Sequence, residues 1–494
     1  MSSLSKDEPP AVESPGMATG PGMHGGRTTL TSLPVTLVGD GDPVPCIDGR
    51  ERPYLNLDAA ASTSALPAVA DRVTAFLPHY ASVHRGAGFR SRQATTAYER
   101  ARASALAFAG RAAEGPDIAI ICRNTTEAIN HLAYRLRLAP DDVVVTTVME
   151  HHANLLPWSR ICRRRFVECG ADGTFTADDV ITALDGVRGA PAQRPRLLAI
   201  SGASNVTGWS PPLPAVIEAA HQRGVPVLVD AAQLAPHAPL PAAADYLAWS
   251  GHKMYAPFGA GVLVGPMATF ADGDPFLAGG GAVDLVDLDE VIWTEPPDRE
   301  EAGSPNVIGA VALDAAIAAL GGLGWDAVSA HDAALAGRLR SALAAVPGVR
   351  LLGPSLATPT LPLATFIVDD VPHALVAARL SAEFGIGVRH GCFCAHPYLL
   401  RLLGLSPGEV ISYREAVLAG DRREIPGAVR ASAGLSTSEA DVDRLVAAVS
   451  AIAADPAPPV PYEQDPATGD FWPLVDVPGW SESERAVGSS CARG

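Results

Sequence analysis

The chain has 494 residues, 48% of them hydrophobic and 18% charged, enough for two or three domains with sizeable cores. Its 37 basic residues stand against 54 acidic ones, a net charge of −17 that repels phosphate backbones and anionic lipid surfaces. No apolar run approaches the roughly 20 residues needed to span a bilayer. The expectation is therefore no nucleic-acid partner and no membrane.

Residues 1–50 are rich in Gly, Pro, Ser and Thr and read as a mostly disordered extension, with Leu33–Val38 resembling a strand. No apolar leader core follows Lys6, Asp7 and Glu8. Seven scattered cysteines do not form a disulfide framework. Both features point to a cytoplasmic, reduced setting. Cys392 and Cys394 lack a second ligand pair, so no metal site is expected.

Tyr54–Leu57 reads as a short strand and is followed by the small-residue turn DAAAST. Apolar spacing predicts helices over Leu66–His79 and Gln93–Ala113, with a Gly- and Arg-rich loop between them. Ile118–Cys122 is a continuous apolar strand. It runs into Asn124-Thr125-Thr126-Glu127, a helix start in which Asn124 or Thr125 caps and the threonines suit a phosphate. Val143–Thr147 is a strand ending at Glu150-His151-His152. A helix is predicted for Leu155–Arg165, which places the basic cluster RICRRR at its end.

The strand Arg196–Ser201 ends near Asn205, and the helix Leu213–Arg223 follows. The strand Val225–Val229 leads into Asp230-Ala231-Ala232-Gln233. The strand Tyr246–Trp249 leads to Ser250, Gly251, His252 and Lys253. Apolar strands alternating with amphipathic helices indicate a mainly parallel sheet covered on both faces. Ligands on such sheets bind outside the carboxyl ends of the strands. Thr125, His151, Asn205, Asp230 and Lys253 all sit at such ends. A lysine among apolar and turn-forming neighbours is enclosed, and enclosure lowers its pKa toward the state that forms a Schiff base. A carboxylate ending a strand upstream suits the pyridine nitrogen of pyridoxal phosphate.

Helices are expected at Asn306–Leu320, Trp325–Val346 and His373–Phe384, with a strand at Leu363–Val368. Gly387–Arg389 runs as a short strand into HGCFCAHP. Gly408–Arg423 is partly helical, and Ser436-Thr437-Ser438-Glu439 reads as a capping box ahead of the helix Glu439–Ala453. Beyond Asp455 the Pro-rich sequence suggests a poorly ordered tail, with Phe471, Trp472 and Trp480 as points of attachment. The predicted domains are 51–320, a cofactor-binding unit, and 321–454, a smaller unit with which the segment near 51–65 packs. The segments 1–50 and 455–494 flank them.

The set YLNLDAAAST, SVHRGAGFRS, NTTEAIN, MEHHANLLPW, SNVTGWSPPL, VLVDAAQ, SGHKMYAPFGAG, EAGSPN, VRHGCFCA and VRASAGLSTSEADVDRLV covers about residues 50 to 453. It resembles the class V aminotransferase-fold pyridoxal phosphate enzymes and, within them, cysteine desulfurases and selenocysteine lyases. The resemblance implies an α/β fold type I architecture with a smaller α+β C-terminal domain. It makes Lys253 the Schiff-base lysine, Asp230 the partner of the pyridine nitrogen, Gln233 the partner of the ring hydroxyl, and His151 the residue stacked on the ring. Thr125, Thr126, Ser250 and His252 hold the phosphate, and Ser304 reaches the phosphate of a second subunit in a homodimer. Asn205 and Arg430 grip the amino-acid carboxylate.

Cys394 matches the family's sulfur nucleophile, which takes sulfur from L-cysteine as a persulfide and releases L-alanine to leave sulfur for a protein or small-molecule acceptor. Cys392-Phe393 stands where the pattern has two histidines, and GCFC is similar to the loop of molybdenum-cofactor sulfurases. In an extended loop Cys392 and Cys394 point to one side. The alternatives left open are an aminotransferase, an epimerase or a C–S lyase, or a scaffold without catalysis.

Overall fold

The computed structural model describes residues 33, 35–84, 86–186 and 195–481. Its centre is a seven-stranded sheet. The order across it is Asp117–Cys122, Gly261–Pro266, Tyr246–Ser250, Val227–Asp230, Pro195–Ser201, Val143–Thr147 and Arg163–Val167. Gly261–Pro266 is antiparallel to both neighbours, and the remaining pairs are parallel. Val143–Thr147, Val227–Asp230 and Tyr246–Ser250 are buried at every position. That is why they read as unbroken apolar runs rather than as alternating strands. The two faces carry separate cores, one around Val229, Leu247, Trp249 and Val262 and the other around Ile120, Leu228, Ala248 and Leu263.

A smaller antiparallel sheet takes the order Val349–Leu352, Leu363–Val368, Ala428–Ser432 and Arg389–Gly391. Its core is built from Phe366, Val429, Leu380 and Val449. Leu55–Asn56 pairs in parallel with Ile386–Gly387. Asp58 bridges to Ser432, so the DAAAST turn lies between the two sheets.

Several sequence expectations change. The described residues of 33–38 form no strand: Leu33, Val35 and Leu37 pack on the core, and Leu37 N–H donates to Asp40 in a turn. The remainder of 1–32, with residue 34, lies outside the described residues. Within 35–50, Pro43–Pro45 pairs with Glu51–Pro53. The second predicted helix runs Phe89–Phe108.

The basic cluster does not end a helix. The helix stops at Ile161, and Arg163–Val167 is the edge strand of the large sheet. An edge strand keeps one side in water, so arginine is tolerated there. Arg163 pairs with Asp141 at 2.8 Å, and Arg165 donates to the Ala183 carbonyl.

The capping box is shifted by two residues. Ser438 caps, and Asp441 returns the bond. Residues 455–481 of the tail are ordered where poor order was expected, because Tyr462–Gln464 and Phe471–Pro473 form a hairpin, and residues 482–494 lie outside the described residues. Tyr462 bonds Glu383, Asp470 pairs with His390 at 3.2 Å, and the Trp480 indole donates to the Pro45 carbonyl.

One glycine fixes how the site is assembled. A Cβ on Gly261 would lie 2.5 Å from the Asn124 Cα, so only glycine lets the start of the Thr125–Arg135 helix sit on the sheet. Gly261→Ala is expected to destabilise the protein by about 1–3 kcal/mol, the usual range for overpacking. Urea denaturation checks this, and an unchanged midpoint would contradict the close approach.

Candidate active site

A cavity of about 370 Å³ opens at the carboxyl ends of the parallel strands, where the strand-end residues converge. Eleven of the twelve residues singled out on the sequence line it: Thr125, Thr126, His151, Asn205, Asp230, Gln233, Ser250, His252, Lys253, Cys394 and Arg430. The twelfth, Ser304, is exposed and lies outside the cavity.

Asp230 ends the Val227–Asp230 strand and is 5% exposed. Its Oδ1 accepts the Ala232 N–H at 3.0 Å. Burial raises its pKa, and the Ala232 N–H and the Lys253 charge oppose that rise. Lys253 follows the neighbouring strand on the short turn Gly251–Lys253. Burial pushes its ammonium down to about 8, against the pull of Asp230. The pair therefore holds an amine with a usable neutral fraction at neutral pH beside a buried acid.

Thr125 and Ser250 make one wall. The Thr125 N–H donates to Ser250 Oγ at 2.7 Å, and the two hydroxyls lie 2.6 Å apart. Asn124 caps this helix by accepting the Glu127 N–H, which leaves the first turn facing the cavity with its dipole. The His252 carbonyl receives Thr63 N–H and the Ser62 and Thr63 hydroxyls, and burial lowers its ring to about 4. Gln233 donates to the Ala60 carbonyl at 2.6 Å, which ties the DAAAST turn over the opposite side.

His151 accepts the Ala153 N–H on Nδ1 at 3.1 Å, so its ring proton sits on Nε2. Burial first, then the Lys253 charge, pushes it down to about 3. Beneath it the fully buried Glu150 receives Thr147 Oγ1, Ser201 Oγ, Asn154 Nδ2 and the Ser201 N–H. Burial raises Glu150 to about 7 despite those four donors.

Arg430 is 3% exposed. It donates to the Asn205 carbonyl at 2.8 Å and to Asp58 at 3.0 Å, and its Nε is buried with no partner. Burial lowers it to about 10 while Asp58 opposes the fall. Asp58 also pairs with Arg389 at 2.9 Å. Asn205 donates to the Phe393 carbonyl, and the Arg430 guanidinium lies 5.1 Å from the Phe393 ring centre.

The cysteine loop is not extended. Phe393 and Cys394 have φ of 56° and 54°, and Ala395 N–H donates to the Cys392 carbonyl, which closes a tight turn. Cys394 is exposed at the cavity wall. Cys392 is half-buried against the core, and burial raises its thiol pKa. The two sulfurs therefore do not share one side of an extended strand.

Among the described residues, one trio could bring metal-ligand atoms together, His84, Glu99 and Asp298. The Arg102 guanidinium already bonds both of its carboxylates at 2.8 Å.

Sequence reading missed Asp58, Glu150, Ser201, Arg389 and Phe393. Asp58 and Glu150 were legible as carboxylates next to a flagged turn and a flagged histidine. Phe393 carried no such signal.

The residues fit pyridoxal phosphate. A buried carboxylate bonded by one N–H suits a protonated ring nitrogen, a helix N-terminus with Thr125 and Ser250 suits a phosphate, and a lysine of lowered pKa suits the aldehyde.

Comparison with known proteins agrees. The family model described as aminotransferase class-V matches residues 55–445. A cysteine desulfurase of Dickeya dadantii is 35% identical over 414 residues, which cover 81% of this chain and 92% of that protein. A probable cysteine desulfurase of Vibrio cholerae is 33% identical, covering 80% and 93%. The apo structure of a Thermococcus onnurineus cysteine desulfurase aligns at 29% identity with a TM-score of 0.71, covering 81% of this chain and 95% of that one. The Escherichia coli cysteine desulfurase CsdA, in an S-sulfonic acid form, aligns at 32% identity with a TM-score of 0.66, covering 80% and 94%.

The lowered pKa of Lys253 has a direct consequence. In protein free of cofactor, acylation of Lys253 mapped by mass spectrometry should rise with pH about a midpoint near 8. A midpoint near the ordinary lysine value of about 10.4 would contradict the enclosure.

Proposed function

Because the chain belongs to the class-V aminotransferase family and is a cysteine-desulfurase-like enzyme within it, we propose that it moves sulfur from L-cysteine onto Cys394 and releases L-alanine. The observation that carries this reading is that Cys394, the exposed cysteine of the turn, lines the same cavity as Lys253, Asp230 and Arg430.

Bound pyridoxal phosphate supplies an electron sink for charge developing on the carbon beside the amine. Asp230 holds the ring nitrogen protonated, and its burial keeps that partner dry. Thr125, Thr126, Ser250 and His252 hold the phosphate, Gln233 the ring hydroxyl, and neutral His151 the ring face. Lys253 Nζ, neutral in part at pH 7, carries the cofactor between turnovers and accepts the proton from the substrate Cα. Arg430, which lines the cavity, orients the substrate carboxylate, and Asn205 stands beside it. Cys394 gives up its thiol proton and its sulfur bonds the substrate sulfur as the substrate Cβ–S bond breaks; the electron pair of that bond stays with Cβ, which takes a proton to become the methyl group of alanine, and Lys253 returns the proton to Cα. Exposure of Cys394 supports passage of the sulfur to an acceptor that reaches the cavity mouth.

The working form in this reading is a cytoplasmic homodimer. Ser304 lies outside its own cavity, as a residue serving a second subunit would. The hairpin of Val283–Val286 and Val291–Trp293 leaves Leu285 60%, Val286 59% and Leu288 99% exposed on an acidic chain, an apolar patch that a second copy would cover.

Incubation of the loaded protein with L-cysteine, with alanine, pyruvate and ammonia assayed together, tests the reaction class. Alanine with protein-bound sulfur is expected. Pyruvate and ammonia without alanine would assign a C–S lyase instead. Sedimentation velocity is expected to give a dimer, and a monomer turning over at full rate would remove the shared-site reading.

A further inference from the structure

Three imidazoles follow one another outward from the cavity wall, where His151 stands. His151 and His152 have ring centres 6.3 Å apart, and His152 and His396 have centres 5.1 Å apart with planes parallel within 3°. His396 Nδ1 lies 3.2 Å from His152 Nε2, and the backbone N–H of His396 points at the same nitrogen at 3.4 Å. His152 Nε2 is therefore the acceptor, and His396 Nδ1 carries the proton. Burial lowers the pKa of both rings, which agrees with a neutral pair.

The pair encloses Cys394. The N–H of His152 donates to the Cys394 carbonyl at 2.7 Å, and His396 begins the His396–Leu403 helix two residues after the thiol. Between them the turn places two consecutive side-chain-bearing residues in the left-handed region. Such a conformation persists only where its surroundings hold it. Asn205 and Arg430 hold Phe393. The backbone of Cys394 itself is held from the segment that carries His151.

We propose that the His152–His396 imidazole pair is a clamp that positions Cys394: its N–H···N bond locks the start of the following helix to the segment that carries His151 and keeps the strained turn, with its thiol, over the substrate. Both histidines are positioning residues that act through Cys394 and touch neither substrate nor cofactor. This rests on the assignment of Cys394 as the sulfur acceptor.

The chemistry of the bond selects the variants. His396→Asn keeps a donor where Nδ1–H stood, and His152→Gln keeps an acceptor where Nε2 stood, whereas His396→Ala removes the donor. On loaded protein mixed with L-cysteine, His396→Ala is expected to slow persulfide formation on Cys394 at least tenfold. The half-saturation of the cysteine-dependent change in the cofactor's absorption should stay within twofold. His396→Asn and His152→Gln should stay within threefold of the parent rate. In protein without cofactor, alkylation of Cys394 by iodoacetamide should be at least threefold faster in His396→Ala and unchanged in His396→Asn. Equal slowing by His396→Ala and His396→Asn, a persulfide rate within twofold in His396→Ala, unchanged alkylation there, or a loss of substrate binding would each overturn the clamp. Cys394→Ser separates the two levels: alanine release at the parent rate in that protein would defeat the assignment of Cys394, whatever the histidine variants do.

Discussion

The site depends on one electrostatic arrangement, a lysine and an aspartate brought to the ends of adjacent strands in the middle of a buried sheet. Asp230 sits in register with Ala248, and Lys253 follows three residues after Ser250 ends that second strand. Neither charge is cheap to bury, and each is shifted toward its neutral form by lost hydration. An isolated buried pair of this kind is weak support for stability, because desolvation offsets the attraction. Its retention makes sense where a ligand supplies the missing partners, and pyridoxal phosphate offers both an aldehyde for the amine and a ring nitrogen for the acid.

The remaining elements bring other groups to that pair. Gly261 admits the helix start that carries Thr125, and Thr125 is bonded to Ser250 on the lysine's own strand. The DAAAST turn contributes from the other sheet: Asp58 holds Arg430 and Arg389, while the Ala60 carbonyl holds Gln233. The buried Glu150 ties the end of Val143–Thr147 to the end of Pro195–Ser201, and so fixes the strand end from which His151 projects. Side chains from the large sheet and from the small one thus meet at the cavity and share hydrogen bonds.

Much of this was legible in the sequence because the central strands are buried on both sides, and burial writes itself as short apolar runs with polar residues at one end. Where burial is partial, the signal fades. Arg163–Val167 reads as a helix end because an edge strand needs no apolar run, and its arginines are accommodated by water, Asp141 and a carbonyl. The tail hairpin is held by Tyr462, Asp470 and Trp480 through single polar contacts at distant points, which no local pattern records. The turn at Phe393 and Cys394 adopts a conformation that neither residue type favours. It is imposed by Asn205, Arg430 and His152, residues 170 or more positions earlier or nearly 40 later.

That imposed turn separates the roles of the two loop cysteines. Cys394 faces the cavity, and Cys392 is packed beneath it with a raised thiol pKa. The most direct measurement is peptide mapping by mass spectrometry after treatment of the loaded protein with L-cysteine, in the parent chain and in Cys394→Ser and Cys392→Ser. A persulfide is expected on Cys394 in the parent and in Cys392→Ser, and none in Cys394→Ser. A persulfide on Cys392 in the Cys394→Ser protein, formed at the parent's rate, would contradict it.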